Sequence, residues 1–272
     1  MSVHDGRWVR GRQILVWSLL AVFLLPLAYM LGRSVLRVAP ATGTVGTALT
    51  LDHYRAVLGG AGFLGFAWNS LLVLVGVVGA NVVFSLMAGY AFARYRFPGR
   101  RVLFTAILAT LMMPKQILMI PILDLMIRFG LQDTLWALIL PFAVDGFNVF
   151  LLRQFIVNLP PDLEEAARAD GASEYQVLTG VVLPLCRPAL AVVAINTAVV
   201  TWNGFLFPLI LTDSAASRTL PVGLALLTQG PFATDWGALM AGSAVSSLPM
   251  ILLFWAFQKQ IIEGLTAGAL RE

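Results

Sequence analysis

Apolar runs of about 20 residues recur along the whole chain, separated by short polar turns, which is the pattern of a polypeptide that crosses a membrane repeatedly. The runs predict six spans, at about 14–32, 66–93, 102–127, 134–152, 189–211 and 237–258. The first run is too long for a signal-peptide core and lacks a small-residue cleavage site, so it reads as an uncleaved span after a basic segment, 1–13. Residues 33–65 are mixed and predict a loop with a short helix near Asp52 to Leu58. Phe129 to Asp133 predicts a tight reversal, and Lys259 begins a short polar tail. Proline and glycine recur inside the runs (Pro114, Pro121, Pro141, Pro208, Pro249, Gly76, Gly79, Gly89). Such residues serve either close helix packing or a broken backbone that lines a solute pathway.

The longest polar interruption in the second half runs from Asp162 to Pro188 and holds five of the fourteen acidic residues. Asp162 with Glu165, and Ser173 with Gln176, have capping-box spacing. Leu163 to Ala169 are good helix formers. Asp170-Gly171 supplies a stop, because glycine enters the left-handed conformation at no steric cost. Two short helices joined by a turn are expected here, punctuated by Pro184 and Pro188.

Composition agrees: 59% of the residues are hydrophobic and 12% charged, about half the charge of a soluble domain. One cysteine, Cys186, excludes an internal disulfide. The net charge of +4 comes almost wholly from arginine and reads as a topology signal, with no call for nucleic acid. Six spans put both termini on one side. That side, with the 94–101 turn and the 153–187 loop, carries twelve Lys and Arg against five on the other, at Arg33, Arg37, Arg55, Arg128 and Arg218. The positive-inside rule therefore predicts cytoplasmic termini and a cytoplasmic 153–187 loop.

Chemistry has few places to reside. No phosphate-binding P-loop, zinc-protease HExxH or GxSxG serine elbow occurs, and His4 and His53 are lone residues outside the spans. Lys115 and Asp145 lie about twelve and eleven residues either side of the reversal, hence at similar depth in adjacent helices. An unpaired charge there costs about 2.5–3.5 kcal/mol, so the two either pair with each other or each face another partner or a water-filled cavity. Asp124 and Arg128 are a surface pair. Trp202-Asn203-Gly204 interrupts the fifth span, where an amide either bonds across helices or meets solute. Trp68, Trp136 and Trp236 fall near span ends, as interfacial anchors do. Lys115, Asp145, Asn148, Trp202 and Asn203 are the pathway candidates.

Glu165-Ala166-Ala167, three residues, Gly171, nine residues, Val181, one residue and Leu183-Pro184 resembles the EAA motif of ABC importer permeases, with Val for Ile the only departure. Further stretches look like the carbohydrate-uptake branch of that family, the maltose or glycerol-phosphate type: Ala88 to Arg94, Phe97 to Arg100, Phe150 to Phe155, Trp202-Asn203, Thr219 to Leu224 and Gly264 to Ala269. Asp145 and Gly204 are positions where the resemblance would lead one to expect another residue.

The resemblance implies an all-α polytopic membrane protein of the type I importer permease fold. One permease domain would cover 14–272, with a cytoplasmic coupling loop at 158–188, in a bacterial cytoplasmic membrane. It implies a non-catalytic subunit that binds no cofactor, with ATP and Mg held by two partner ATPase subunits. A second permease chain and an extracytoplasmic solute-binding protein complete the system, surrounded by membrane lipid. Leu163 to Ala169 would be the coupling helix, with Glu164, Glu165, Ala166, Ala167, Asp170 and Gly171 as coupling residues. The alternatives are a non-sugar solute in the same family and an ATP-independent secondary carrier.

Overall fold

The computed structural model describes residues 5–38, 45–60, 62–227 and 235–269; His4 and Arg271 lie outside them. Helix α1 (Asp5–Val35) leads into the strands β1 (Leu36–Val38) and β2 (Val45–Leu49), then α2 (Asp52–Gly59) and α3 (Phe63–Arg94). There follow α4 (Arg100–Leu111), a 3-10 turn (Lys115–Leu118), α5 (Met119–Arg128), α6 (Leu135–Ile139), a 3-10 turn (Leu140–Phe142) and α7 (Gly146–Val157). The polar stretch forms α8 (Asp162–Ala169), α9 (Glu174–Val177), a π turn (Leu178–Val182) and α10 (Leu183–Leu185). The chain closes with α11 (Arg187–Trp202), α12 (Leu206–Leu211), α13 (Leu220–Leu226) and α14 (Trp236–Ala269).

Three of these helices are long and apolar enough to cross a membrane, and bent pairs bring the number to as many as six. The expected third span is broken, with α4 and the Lys115–Arg128 segment meeting at 102°. The fourth bends by 41° between Phe142 and Gly146, and the fifth is interrupted between Trp202 and Leu206. Proline explains where the chain breaks, because it disfavours helix in the residue before it. Pro114 follows the end of α4, while Pro121, Pro188 and Pro208 sit in the first turn of α5, α11 and α12. There the missing N–H is one that a helix leaves unpaired anyway. The candidate membrane-spanning part of α14 is Trp236–Gln258, and the segment from Lys259 continues the same helix to Ala269. The first helix likewise starts upstream of residue 14, at Asp5.

Two compact units are formed, Met1–Leu64 with Gly223–Leu248, and Gly65–Val222 with Pro249–Glu272. In the first, the expected loop contains an antiparallel hairpin pairing Leu36 with Leu49 and Val38 with Val45, followed by α2 as expected. His53 is not a lone residue: Nε2 lies 3.2 Å from the Leu36 carbonyl oxygen, and Nδ1 lies 3.3 Å from Asp235 Oδ1. Asp235 also accepts from the Ala238 N–H at 2.9 Å, capping α14. Apolar side chains of α1 such as Trp17, Phe23 and Tyr29 are exposed, as on a helix that faces lipid.

The second unit is layered along α3. Val73 and Val77 pack with Met126, Ala137, Leu138 and Leu211. Leu86 and Tyr90 pack with Leu152, Ile156, Val177, Val182, Cys186, Ala189 and Val193. Between the two clusters, Asn148 Nδ2 donates to Asn81 Oδ1 and Thr197 Oγ1, both at 2.9 Å. Asn81 Nδ2 donates to the Phe142 carbonyl at 2.7 Å, so a carbonyl at the break before α7 is satisfied by a side chain, as irregular backbone in a membrane requires. At the far end of α3, Asn69 Nδ2 donates to the carbonyls of Ala216 and Arg218, each at 2.9 Å.

The expected reversal before α6 is present. Asp133 takes φ +59° and its Oδ1 accepts from the backbone N–H of Asp213 at 2.8 Å and of Ser214 at 2.9 Å, and from the Ser217 hydroxyl. These bonds hold its carboxyl well below the usual carboxylate range, the Ser214 N–H contributing most.

Candidate coupling site

The polar stretch folds as two short helices with a sharp turn between them. Residue Pro161 opens α8, with Glu164 N–H donating to its carbonyl at 2.9 Å. The expected Asp162–Glu165 capping box is absent, because Asp162 is already the first helical residue and no side chain caps that end. At the other end Gly171 has φ +86°. The Gly171 N–H donates to the Arg168 carbonyl and the Ala172 N–H to the Ala167 carbonyl, each at 3.0 Å. This is the paired closure of a Schellman motif, which uses a left-handed residue just past the helix. The second expected box is present: Ser173 N–H donates to Gln176 Oε1 at 2.7 Å, and Gln176 N–H to Ser173 Oγ at 3.4 Å.

The two faces of α8 differ. Leu163, Glu165, Ala166 and Asp170 are exposed, and Ala167 is half-buried against the cluster around Leu152. Glu164 is turned inward and its side chain is 3% exposed. Arg94, at the end of α3, donates from Nε to Glu164 Oε1 at 2.8 Å and from Nη2 to the Leu159 carbonyl at 2.9 Å. The Tyr90 hydroxyl donates to Glu164 Oε2 at 3.3 Å, and Arg168 Nη2 lies 3.5 Å from the same oxygen. A buried carboxylate is tolerated only when paired and hydrogen-bonded in this way.

The cluster extends to α9. Arg168 Nε donates to Glu174 Oε1 at 2.8 Å and the Tyr95 hydroxyl to Glu174 Oε2 at 2.6 Å. Those bonds, Arg168 first, push the Glu174 carboxyl down to about 2; its bond with Glu174 raises Tyr95 in turn. The i, i+4 spacing of Glu164 and Arg168 was legible in the sequence. Nothing local pointed to Arg94 and Tyr90 as their partners, or to Tyr95 as a partner of Glu174.

Of the pathway candidates, Lys115 and Asp145 form an ion pair between Nζ and Oδ2. Both stand at helix breaks: Lys115 follows Pro114, and Asp145 caps α7, accepting the Phe147 N–H at 2.9 Å. Asn148 and Trp202 are buried within this chain, and Asn148 is engaged by Asn81 and Thr197. Asn203 is exposed, and its Nδ2 donates back to Val199 of its own helix at 2.8 Å instead of bonding across helices. Trp68, Trp136 and Trp236 are exposed, as interfacial anchors would be, and Asp124 pairs with Arg128 at 2.8 Å.

The chain resembles known proteins along most of its length. It is 40% identical to the arabinooligosaccharides transport system permease protein AraQ of Halalkalibacterium halodurans, over 83% of this chain and 81% of that protein. It is 36% identical to the trehalose transport system permease protein SugB of Mycobacterium tuberculosis, over 83% of each. One chain of the crystal structure of a bacterial ABC transporter involved in import of the acidic polysaccharide alginate superposes with a TM-score of 0.81 at 26% identity, covering 95% of this chain and 98% of that one. Residues 81–265 match the family described as the binding-protein-dependent transport system inner membrane component. The 158–188 loop lies inside that match, and the chain belongs to this family: it is a non-catalytic, multi-pass permease of the ABC-importer type.

Proposed function

We propose that this permease imports a sugar or sugar derivative across a bacterial cytoplasmic membrane by alternating access with a second permease chain. Both termini and the 158–188 loop face the cytoplasm, and residues 14–272 act as one permease domain. Two ATPase subunits carry ATP and Mg, and one of them receives α8; an extracytoplasmic binding protein delivers the solute. The observation that carries this reading is the outward face of α8. Glu165, Ala166 and Asp170 are exposed on a rigid, glycine-terminated helix whose opposite face is tied into the spans. A short rod held in that way can accept a push from outside, and an exposed Glu165 can make charge-assisted bonds to an ATPase cleft. The names of the relatives above support a saccharide as solute. Co-expression with the ATPase and binding protein, followed by uptake of labelled saccharides into liposomes, tests the proposal. ATP-dependent uptake with the ATPase co-purifying is expected. Uptake driven by an ion gradient, with no ATPase bound, would indicate a secondary carrier.

A further inference from the structure

The cluster behind α8 points to a defined route for force, an inference that rests on the coupling role proposed above. In the chain, α8 follows α7, so a push on α8 has an obvious covalent path back through Asn158 to Pro161. The side chains provide another. Glu164 is buried, and Arg94 binds it from the end of α3 while also binding the Leu159 carbonyl in the α7–α8 linker. Arg168 on α8 donates to the Tyr90 hydroxyl on α3 at 3.0 Å and pairs with Glu174 on α9. Tyr95, one residue beyond α3, also binds Glu174. Two short helices adjacent in sequence, α8 and α9, thus meet the distant C-terminal end of α3 at two carboxylates. Only α3 among them is a long unbroken rod, at 32 residues.

We propose that Glu164 is a positioning residue that locks α8 and α9 to the Arg94 end of α3, so that ATP-driven displacement of α8 moves α3 as part of the same body. Glu165, its neighbour, faces outward to the ATPase, so adjacent glutamates have separate tasks: one receives the push and the other passes it on.

The test uses the complete transporter in liposomes. In Glu164→Gln the side chain keeps its size and loses its charge. The ATPase should remain bound and active while the solute moved per ATP hydrolysed falls by roughly tenfold, within the range of site-to-site coupling. An unchanged ratio would overturn the inference. A second measurement uses the otherwise unaltered chain, with spin labels on Arg96→Cys and Asp162→Cys, both exposed positions. Their separation should stay constant through ATP binding and hydrolysis; a change comparable to the motion of the spans would overturn the inference even if Glu164→Gln failed to assemble. Absence of the ATPase from the wild-type complex would instead overturn the coupling reading itself.

Discussion

Gly89 of α3 packs directly against Leu152 of α7: a Cβ built at Gly89 would lie 2.9 Å from Leu152 Cβ and 3.0 Å from the backbone nitrogen of Arg153. Helices approach this closely only over small residues. At Gly76 a built Cβ would meet only the end of the Ile139 side chain, Cδ1 at 2.8 Å, and at Gly79 nothing lies within 4 Å. Gly89→Ala therefore forces two backbones apart and should destabilise the chain by about 1–3 kcal/mol. Gly79→Ala should be neutral or slightly stabilising. Thermal unfolding in detergent compares the two.

Removing one member of the buried pair should cost more than removing an exposed neighbour. Glu164→Ala leaves Arg94 without its main partner and should destabilise the chain by about 3–5 kcal/mol. Glu165→Ala should stay within about 0.5 kcal/mol, and Glu165→Lys should reduce ATPase recovery in a pull-down. Equal unfolding midpoints for Glu164→Ala and Glu165→Ala would contradict the geometry.

The turn after α8 separates backbone strain from steric clash. No atom lies within 4 Å of a Cβ built at Gly171, so Gly171→Ala meets only the left-handed penalty, about 1–2 kcal/mol. Gly171→Pro imposes a negative φ and removes the N–H that binds Arg168, opening the Schellman closure. Uptake should survive the first substitution in part and be lost in the second, with both proteins still reaching the membrane.

Lys115 and Asp145 should show compensation. Lys115→Met or Asp145→Asn alone leaves one charge unpaired, at a cost of up to about 2.5–3.5 kcal/mol if it sits at mid-membrane depth. The double substitution should recover most of that loss. A double-mutant cycle on folded yield reads the coupling directly, and additive single effects would mean that water already solvates each charge.

The pairing at Glu174 predicts acid sensitivity. Its carboxyl is depressed from the ordinary 4.5 to about 2, so its contribution is full above pH 4.5 and is lost as pH falls towards 2. Lowering pH from 7 to 5 should leave the α8–α9 contact intact. The Arg168→Gln variant, lacking the strongest donor to Glu174, should lose it at higher pH. Hydrogen exchange at the α9 amides follows both.

Apolar runs and charge asymmetry were legible because composition alone decides them, and so was the Gly171 turn, because few residues accept its φ. The breaks at 112–114 and 143–145 were legible only as one alternative, through Pro114 and Pro141, and their angles of 102° and 41° were not, since hydropathy counts side chains and is blind to the backbone path. Lys115 and Asp145 were matched through straight-helix spacing, and they do meet, although each sits at a bend. The Asp162 box failed because Pro161 had already started the helix. Arg94 with Glu164 was illegible for another reason: 70 residues separate them, and only packing decides which of the sixteen arginines arrives.

Both ends of α3 are pinned, at Asn69 by two carbonyls and at Arg94 by a buried carboxylate. At 1.5 Å per residue the two anchors stand roughly 37 Å apart. A swing of about ten degrees about one anchor displaces the other by roughly 6 Å on the same rise, further than a hydrogen bond stretches. With its anchors intact, any movement of α3 at the Arg94 end would therefore carry the 216–218 loop with it.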